Sequence, residues 1–394
     1  MTEAVVPPAV DDGTAPVTQA AGEGESRVIL SIVTTTLAFL VGGLVVFATG
    51  HNPLSTYRAI FDGTGVAWLI PGVGNPSAEA SNFQQTLVLM TPLILCGLAV
   101  AFAFRCGMFN IGGQGQYLAG SYAALIFGSR WAAIPGPAHI ILCMVLAILA
   151  GAIWGGIAGF LKATTGAHEV ISTIMLNYIA IYVGQYFFEG PFASSAYRPI
   201  SNNIVDSVHL PVFWGDPQLQ GLHIGFFIAL GALVVFWAIL NRTTLGFEVR
   251  AVGFNPEAAR YAGINVKRNY FMAMAISGSF AGLAGAVDMI GVNFNWAVPN
   301  IEVISRVGFL GIAVALLGRN TTVGVFFAAL LFSALTVGTS SRQLDASIFD
   351  PALAVNLTEI ILGLVVLFIG ADLLVLSIWR ARNKIPIKRM MGAG

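Results

Sequence analysis

The chain has 394 residues, 56% hydrophobic and 10% charged, with 45 glycines and a mean hydropathy of +0.80. Soluble domains carry roughly 25% charged residues, so this composition excludes an ordinary soluble fold and predicts an all-α polytopic membrane protein. Its 19 basic and 19 acidic residues balance, and without a basic run no nucleic-acid partner is expected.

Residues 1–26 are polar, acidic and rich in Ala, Gly and Pro, which predicts a disordered cytoplasmic tail. They lack a basic leader region, and the apolar run at 28–49 is too long for a signal-peptide core, so it is expected to remain as the first membrane helix. Nine further apolar segments follow, at 84–104, 108–128, 139–161, 169–189, 221–240, 270–291, 303–317, 321–340 and 353–378. Each suits a hydrocarbon core of about 30 Å, allowing for tilt or a short half-helix. About ten helices across a membrane domain at 27–380 place both termini on one side, with 381–394 as a basic cytoplasmic tail. With the N-terminus inside, 14 of the 19 Lys and Arg face the cytoplasm, leaving Arg58, Arg130, Arg198, Arg306 and Arg342 outside; that bias sets the orientation. Two long outer loops, 51–83 and 190–220, hold aromatics and prolines that suit short interfacial helices or turns, either as a vestibule or as plain connections. Cys96, Cys106 and Cys143 sit in or beside apolar runs without CxxC spacing and read as reduced core residues.

Polar residues interrupt the apolar pattern in three places. In FRCGMFNIGGQGQYLAG (104–120), glycines surround Asn110, Gln114 and Gln116, amides that are costly against lipid. Broken backbone at membrane depth is tolerated when it is buried in protein or lines a wet cavity, so the amides either line a path or bond across closely packed helices. In EVISTIMLNYIAIYVGQ (169–185), Asn177 and Gln185 share roughly one helical face, and Tyr178 adjoins them. Beyond the helix at 270–291, Asn293, Asn295 and Trp296 set two amides beside an aromatic plane, which suits a base or sugar ring and also any membrane interface. Asp288, Glu302, Arg306 and Glu359 fall in the outer third of their helices and are expected to pair structurally rather than relay protons.

The segment 242–269 is charged and punctuated. Asn255 can cap a helix, Pro256 suits its first position, Glu257 complements the positive end of the dipole, Arg260 the negative end, and Gly263 suits a left-handed stop. A stub helix over 256–262 is predicted, carrying Tyr261 and set among Arg250, Lys267 and Arg268. It reads as a docking element or as a solvated basic loop. His168 and Glu169 are not followed by a second His, and there is no Gly-Lys dipeptide, so neither a zinc protease site nor a phosphate-binding loop is present. The chain is not expected to be an enzyme or to bind a cofactor itself.

RAVGFNPEAARYAGINVKR (250–268) resembles the cytoplasmic coupling segment in permease subunits of bacterial ATP-binding cassette importers. TPLILCGLAVAFAFRCGMFNIGGQGQYLAG (91–120) and HEVISTIMLNYIA (168–180) are similar to the nucleoside permeases of that branch, and the resemblance spans 91–372. Gln114 stands where such permeases often carry an acidic residue. The resemblance implies a nucleoside importer in a bacterial cell membrane, with ATP and Mg held by a partner ATPase. It further implies a second, shorter permease and an extracytoplasmic substrate-binding lipoprotein. Arg250, Asn255, Pro256, Glu257, Arg260, Tyr261 and Gly263 would then engage the ATPase, and Asn110, Gln114, Gln116, Asn177, Tyr178, Gln185, Asn293, Asn295 and Trp296 are the candidates for the solute path. A ribose-like sugar importer of the same architecture is the near alternative, and an ion-coupled secondary transporter the distant one.

Overall fold

A computed structural model describes residues 35–69, 76–195, 198–216, 220–297, 301–339, 356–357, 359–364 and 367. Both expected tails, and most of the apolar segment 353–378, lie outside the described residues.

The first described helix, α1 (Thr35–Ala48), bends by 119° into α2 (Pro53–Thr64). Asn52 starts α2 by accepting from the Leu54 N–H at 2.9 Å, Pro53 follows at the first helical position, and Gly65, at φ 72°, ends it. The first outer loop is therefore helical at its start. It is tied to the bundle where the Thr86 hydroxyl donates to the Thr64 carbonyl at 2.8 Å.

The central element is α3 (Pro76–Arg105), a 30-residue helix buried along most of its length. Around it stand α4 (Gly113–Gly128), α5 (Gly136–Thr165), α6 (Glu169–Glu189), α7 (Gly225–Arg242), α10 (Val266–Asp288), α11 (Ile301–Leu317) and α12 (Thr322–Gly338). Small residues let these backbones touch. A Cβ on Gly151 of α5 would collide with the Gly278 carbonyl of α10, and one on Gly155 would lie 2.5 Å from the Met274 carbonyl. Without a hydrophobic drive between helices in lipid, such backbone approach and the dispersion contacts it permits hold α5 to α10.

Among the described residues five helices are long and apolar enough to span a bilayer, or six if α1 and α2 count as one bent span; α11 and α12 are shorter apolar helices. The expected segment 108–128 becomes helical only from Gly113, because 108–112 is turned, which leaves α4 with 16 residues. An expectation of about ten spans thus depends on counting α4, α11 and α12 as short crossings and on 353–378.

The second outer loop forms two small antiparallel hairpins, β1 (Ala193–Ser195) with β2 (Arg198–Ser201) and β3 (Val212–Trp214) with β4 (Leu222–His223). It closes over a π-helical turn (Met289–Asn293) at the end of α10: the Ile204 N–H donates to the Phe294 carbonyl at 2.8 Å, and the Leu210 N–H to the Ile290 carbonyl at 2.9 Å.

At the opposite end, α7 leads into α8 (Thr244–Phe254) and α9 (Pro256–Tyr261) before α10 begins. The stub helix expected at 256–262 is present as α9. Ahead of it lies α8, a helix that the charge pattern alone did not announce.

Candidate functional site

The exposed end of α9 is built from local signals. The Asn255 side chain accepts from the N–H groups of Glu257 and Ala258, both at 3.0 Å, so two of the helix's unpaired donors are met. Pro256 follows, and Gly263 takes φ 82° just beyond the end. Arg260 and Glu257 form an exposed ion pair of 3.2 Å, a contact that contributes little in water. Ala259 alone in α9 is buried. Phe254 is 95% exposed and Tyr261 92%, two bare aromatics flanking a capped helix. Aromatics of this kind are the usual anchors of protein interfaces.

Beneath them α8 is held firmly. Thr243 caps it by accepting from the Gly246 N–H at 3.0 Å, Val249 and Val252 are buried, and Glu248 accepts from the Asn269 amide at 2.9 Å. Gly253 lies against the turn between α3 and α4: its added Cβ would collide with the Arg105 carbonyl, and Gly107, at φ 73°, sits 3.3 Å from it on the same measure. Arg250 of α8 lines a cavity with Arg105.

That α3–α4 turn opens into the polar break. Asn110 is fully buried and donates to the Gln116 side-chain oxygen at 2.8 Å and to the Ser277 hydroxyl at 2.7 Å. Its oxygen accepts from the Gly112 N–H at 2.8 Å and the Gln116 amide at 3.1 Å. An Asn amide has two N–H donors and an oxygen with two lone pairs, so Asn110 has no capacity left. Ser277 passes the chain on to the Ala99 carbonyl at 2.5 Å. Asn177 of α6 reaches the same break from another side, accepting from the Gly115 N–H at 2.8 Å and donating to the Ile111 carbonyl at 2.9 Å. Side chains thus satisfy the backbone that 108–112 leaves outside a helix, the condition for broken backbone at this depth. Gln114 differs: it is half-buried and makes one bond, to the Ser305 hydroxyl of α11 at 2.8 Å.

The other sequence candidates do not join this cluster. Tyr178 is 56% exposed on the outer face of α6, in line with Met175, Tyr182 and Tyr186. Gln185 is half-buried further along that helix. Asn293 donates to Asp288 at 3.0 Å, and Tyr117 donates to the same carboxylate, so that acid is held by neutral partners. Asn295 is exposed and bonds Asn203 at 2.9 Å. Trp296 is fully buried, 5.2 Å from the Tyr122 ring, and its backbone N–H donates to the Ser201 hydroxyl at 2.8 Å; its plane belongs to the outer cap. Arg306 pairs with Glu359 at 3.1 Å. Ser277, Ser305 and Tyr117 were not singled out from sequence, although each is a hydrogen-bonding group inside an apolar helix, which is the signal that marks them.

The family described as branched-chain amino acid transport system / permease component matches residues 82–370. The guanosine ABC transporter permease protein NupP of Bacillus subtilis is 38% identical, over 88% of this chain and 94% of its own length. The nucleoside ABC transporter permease protein NupB of Lactococcus lactis is 36% identical over 81% of this chain and 85% of its own, and the glucose ABC transporter permease protein TsgB13 of Haloferax volcanii 33% over 86% of each. With a matched region running from α3 past α12 and such relatives along most of its length, the chain belongs to the permease-component family of branched-chain amino acid transport systems.

Proposed function

We propose that this chain is the membrane permease of an ATP-driven nucleoside importer, in a bacterial cell membrane with both termini cytoplasmic. It works with a separate ATPase that binds ATP and Mg, a second and shorter permease, and an extracytoplasmic lipoprotein that delivers solute. The reading draws its substrate class from relatives named for guanosine and nucleosides. The observation that carries the mechanism is the tip where α8 meets α9: Phe254 and Tyr261 are bare there, while Gly253, next to Phe254, packs against the α3–α4 turn. A partner that grips the tip moves a rigid, capped helix, and backbone contact passes that motion to the turn from which the polar break begins. Of the amides at the break, Gln114 has hydrogen-bonding capacity to spare, so it is the first choice there for meeting a base edge or ribose hydroxyl.

The test is uptake of radiolabelled guanosine by proteoliposomes holding the chain with its neighbouring subunits, with and without ATP. ATP-dependent uptake that excess ribose and glucose leave intact supports the proposal. Competition by glucose favours the sugar reading that the resemblance to TsgB13 keeps open. Uptake driven by an ion gradient without ATP refutes both.

A further inference from the structure

The ends of α3, α7, α8 and α12 enclose a cavity of about 290 Å³ whose lining includes Arg105, Arg250, Trp237, Asn241, Thr322 and Val323. Among the described residues no Asp or Glu lines it. Half-buried Arg105 and exposed Arg250 thus place two cations on one cavity, and Arg242 stands 5.3 Å over the Trp237 ring at the same place. Neutral carbonyls hold the two lining arginines: Nε and Nη2 of Arg105 donate to Asn320 at 3.0 and 2.6 Å, and Nε of Arg250 donates to Gly246 at 3.2 Å. These bonds fix the guanidiniums without cancelling their charge. Two guanidiniums on one cavity attract an anion, and their planar donors match the oxygens of a phosphate.

The surroundings of the cavity identify that anion. Val323 lines the cavity and is exposed, as are Phe327 one turn further along α12 and Val234 and Val235 on α7 about one turn before the lining Trp237, apolar side chains of the kind a bilayer covers. An aromatic with one apolar body and one polar edge, as Trp237 is, sits at the level of lipid headgroups. A cationic, partly enclosed end joined to an apolar flank matches a phospholipid, with its phosphate between guanidiniums and its chains along two helices. We propose that this cavity binds the phosphate of an anionic phospholipid. Placing that lipid in the cytoplasmic leaflet rests on the orientation proposed above; the pairing of charge does not.

The assembled transporter, purified in mild detergent and given phosphatidylglycerol or phosphatidylcholine, is read by native mass spectrometry. Phosphatidylglycerol is expected to be retained in preference. Arg250→Gln should weaken that retention about five-fold, the effect of one cation on an anionic lipid. Arg268→Gln, an exposed cation outside the cavity, should leave it unchanged. Equal retention of both lipids, or retention unaffected by Arg250→Gln, overturns the proposal. So does displacement of the lipid by millimolar inorganic phosphate, which marks a site for a free anion. Loss of the ATPase in Arg250→Gln with lipid retention intact also overturns it, because the arginines then serve a carboxylate on the partner. Failure of the importer reading shows separately, as absent ATP-dependent uptake.

Discussion

Replacing Asn110 by Ala separates a residue that holds the bundle from one that lines a path. The substitution removes four hydrogen bonds, two donated to Gln116 and Ser277 and two accepted from Gly112 and Gln116. Side-chain hydrogen bonds between membrane helices average about 0.6 kcal/mol each, so their loss alone costs about 2 kcal/mol. The Gly112 N–H then has no partner in a buried position, which adds about 1–3 kcal/mol. The variant should therefore lose about 3–5 kcal/mol, seen as a marked fall in the midpoint of thermal unfolding of the purified transporter. Asn110→Asp keeps the acceptor and should recover part of the loss. An Asn110→Ala protein as stable as the parent but with weakened nucleoside affinity would refute the assignment and return Asn110 to the path.

Asn255→Ala removes the cap of α9 and should cost about 1 kcal/mol locally, visible as faster amide exchange at Glu257 and Ala258 with lower uptake. Phe254→Ala with Tyr261→Ala should leave permease stability within about 0.5 kcal/mol, since both rings are exposed, while ATPase co-purification drops; unchanged co-purification removes these rings from the interface. Gly253→Ala drives a methyl into the Arg105 carbonyl, so ATP hydrolysis should persist with uptake reduced, and normal uptake would contradict transmission through that contact. His223, buried in the outer cap and accepting from the Gly225 N–H at 3.1 Å, has its pKa pushed down by burial to about 4. Its contribution is complete above pH 6.5 and is lost as pH falls from 6.5 toward 4, about 3 kcal/mol in all. A stability profile flat across that window in the parent, or unchanged in His223→Gln, would contradict this.

Local chemistry was legible where a few adjacent residues decide the outcome. Asn255, Pro256 and Gly263 act within one stretch, and α9 lies where they place it. The bounds of α6 match the expected segment 169–189, because an apolar run between His168 and Gly190 has little freedom. The reading fell short where distant parts of the chain decide. Helix α8 contains Gly246 and Gly253, poor helix formers, and owes its place to packing on the α3–α4 turn and α10. Composition cannot separate a turned apolar stretch from a helical one, so 108–112 was read as helix. Tyr178 and Asn177 are neighbours in sequence but point about 100° apart around α6, Tyr178 exposed and Asn177 turned into the break. Which side is buried is set by α4, not by α6.

The polar break and the docking hairpin meet at one turn, and that meeting constrains how the bundle can move. The side chains of Asn110 and Asn177 bond the backbone between Ile111 and Gly115, and Gln116 of α4 and Ser277 of α10 hold the Asn110 amide in turn. Pulling that segment apart would strand several buried groups at once, so it resists bending and moves as a unit. Flexible connection remains at Gly107, whose left-handed backbone joins α3 to the break and touches α8 at Gly253. In the proposed mechanism a displacement of α8 would therefore turn α4 about its entry point instead of unfolding it. Gln114 stands on the edge of the rigid segment with its single bond to Ser305 of α11, and under the proposed function it would exchange that protein partner for a solute. Asn110 and Asn177 spend their hydrogen bonds on the break itself, and the weakly held Gln114 has capacity to spare, which is why the proposed function assigns the solute to it.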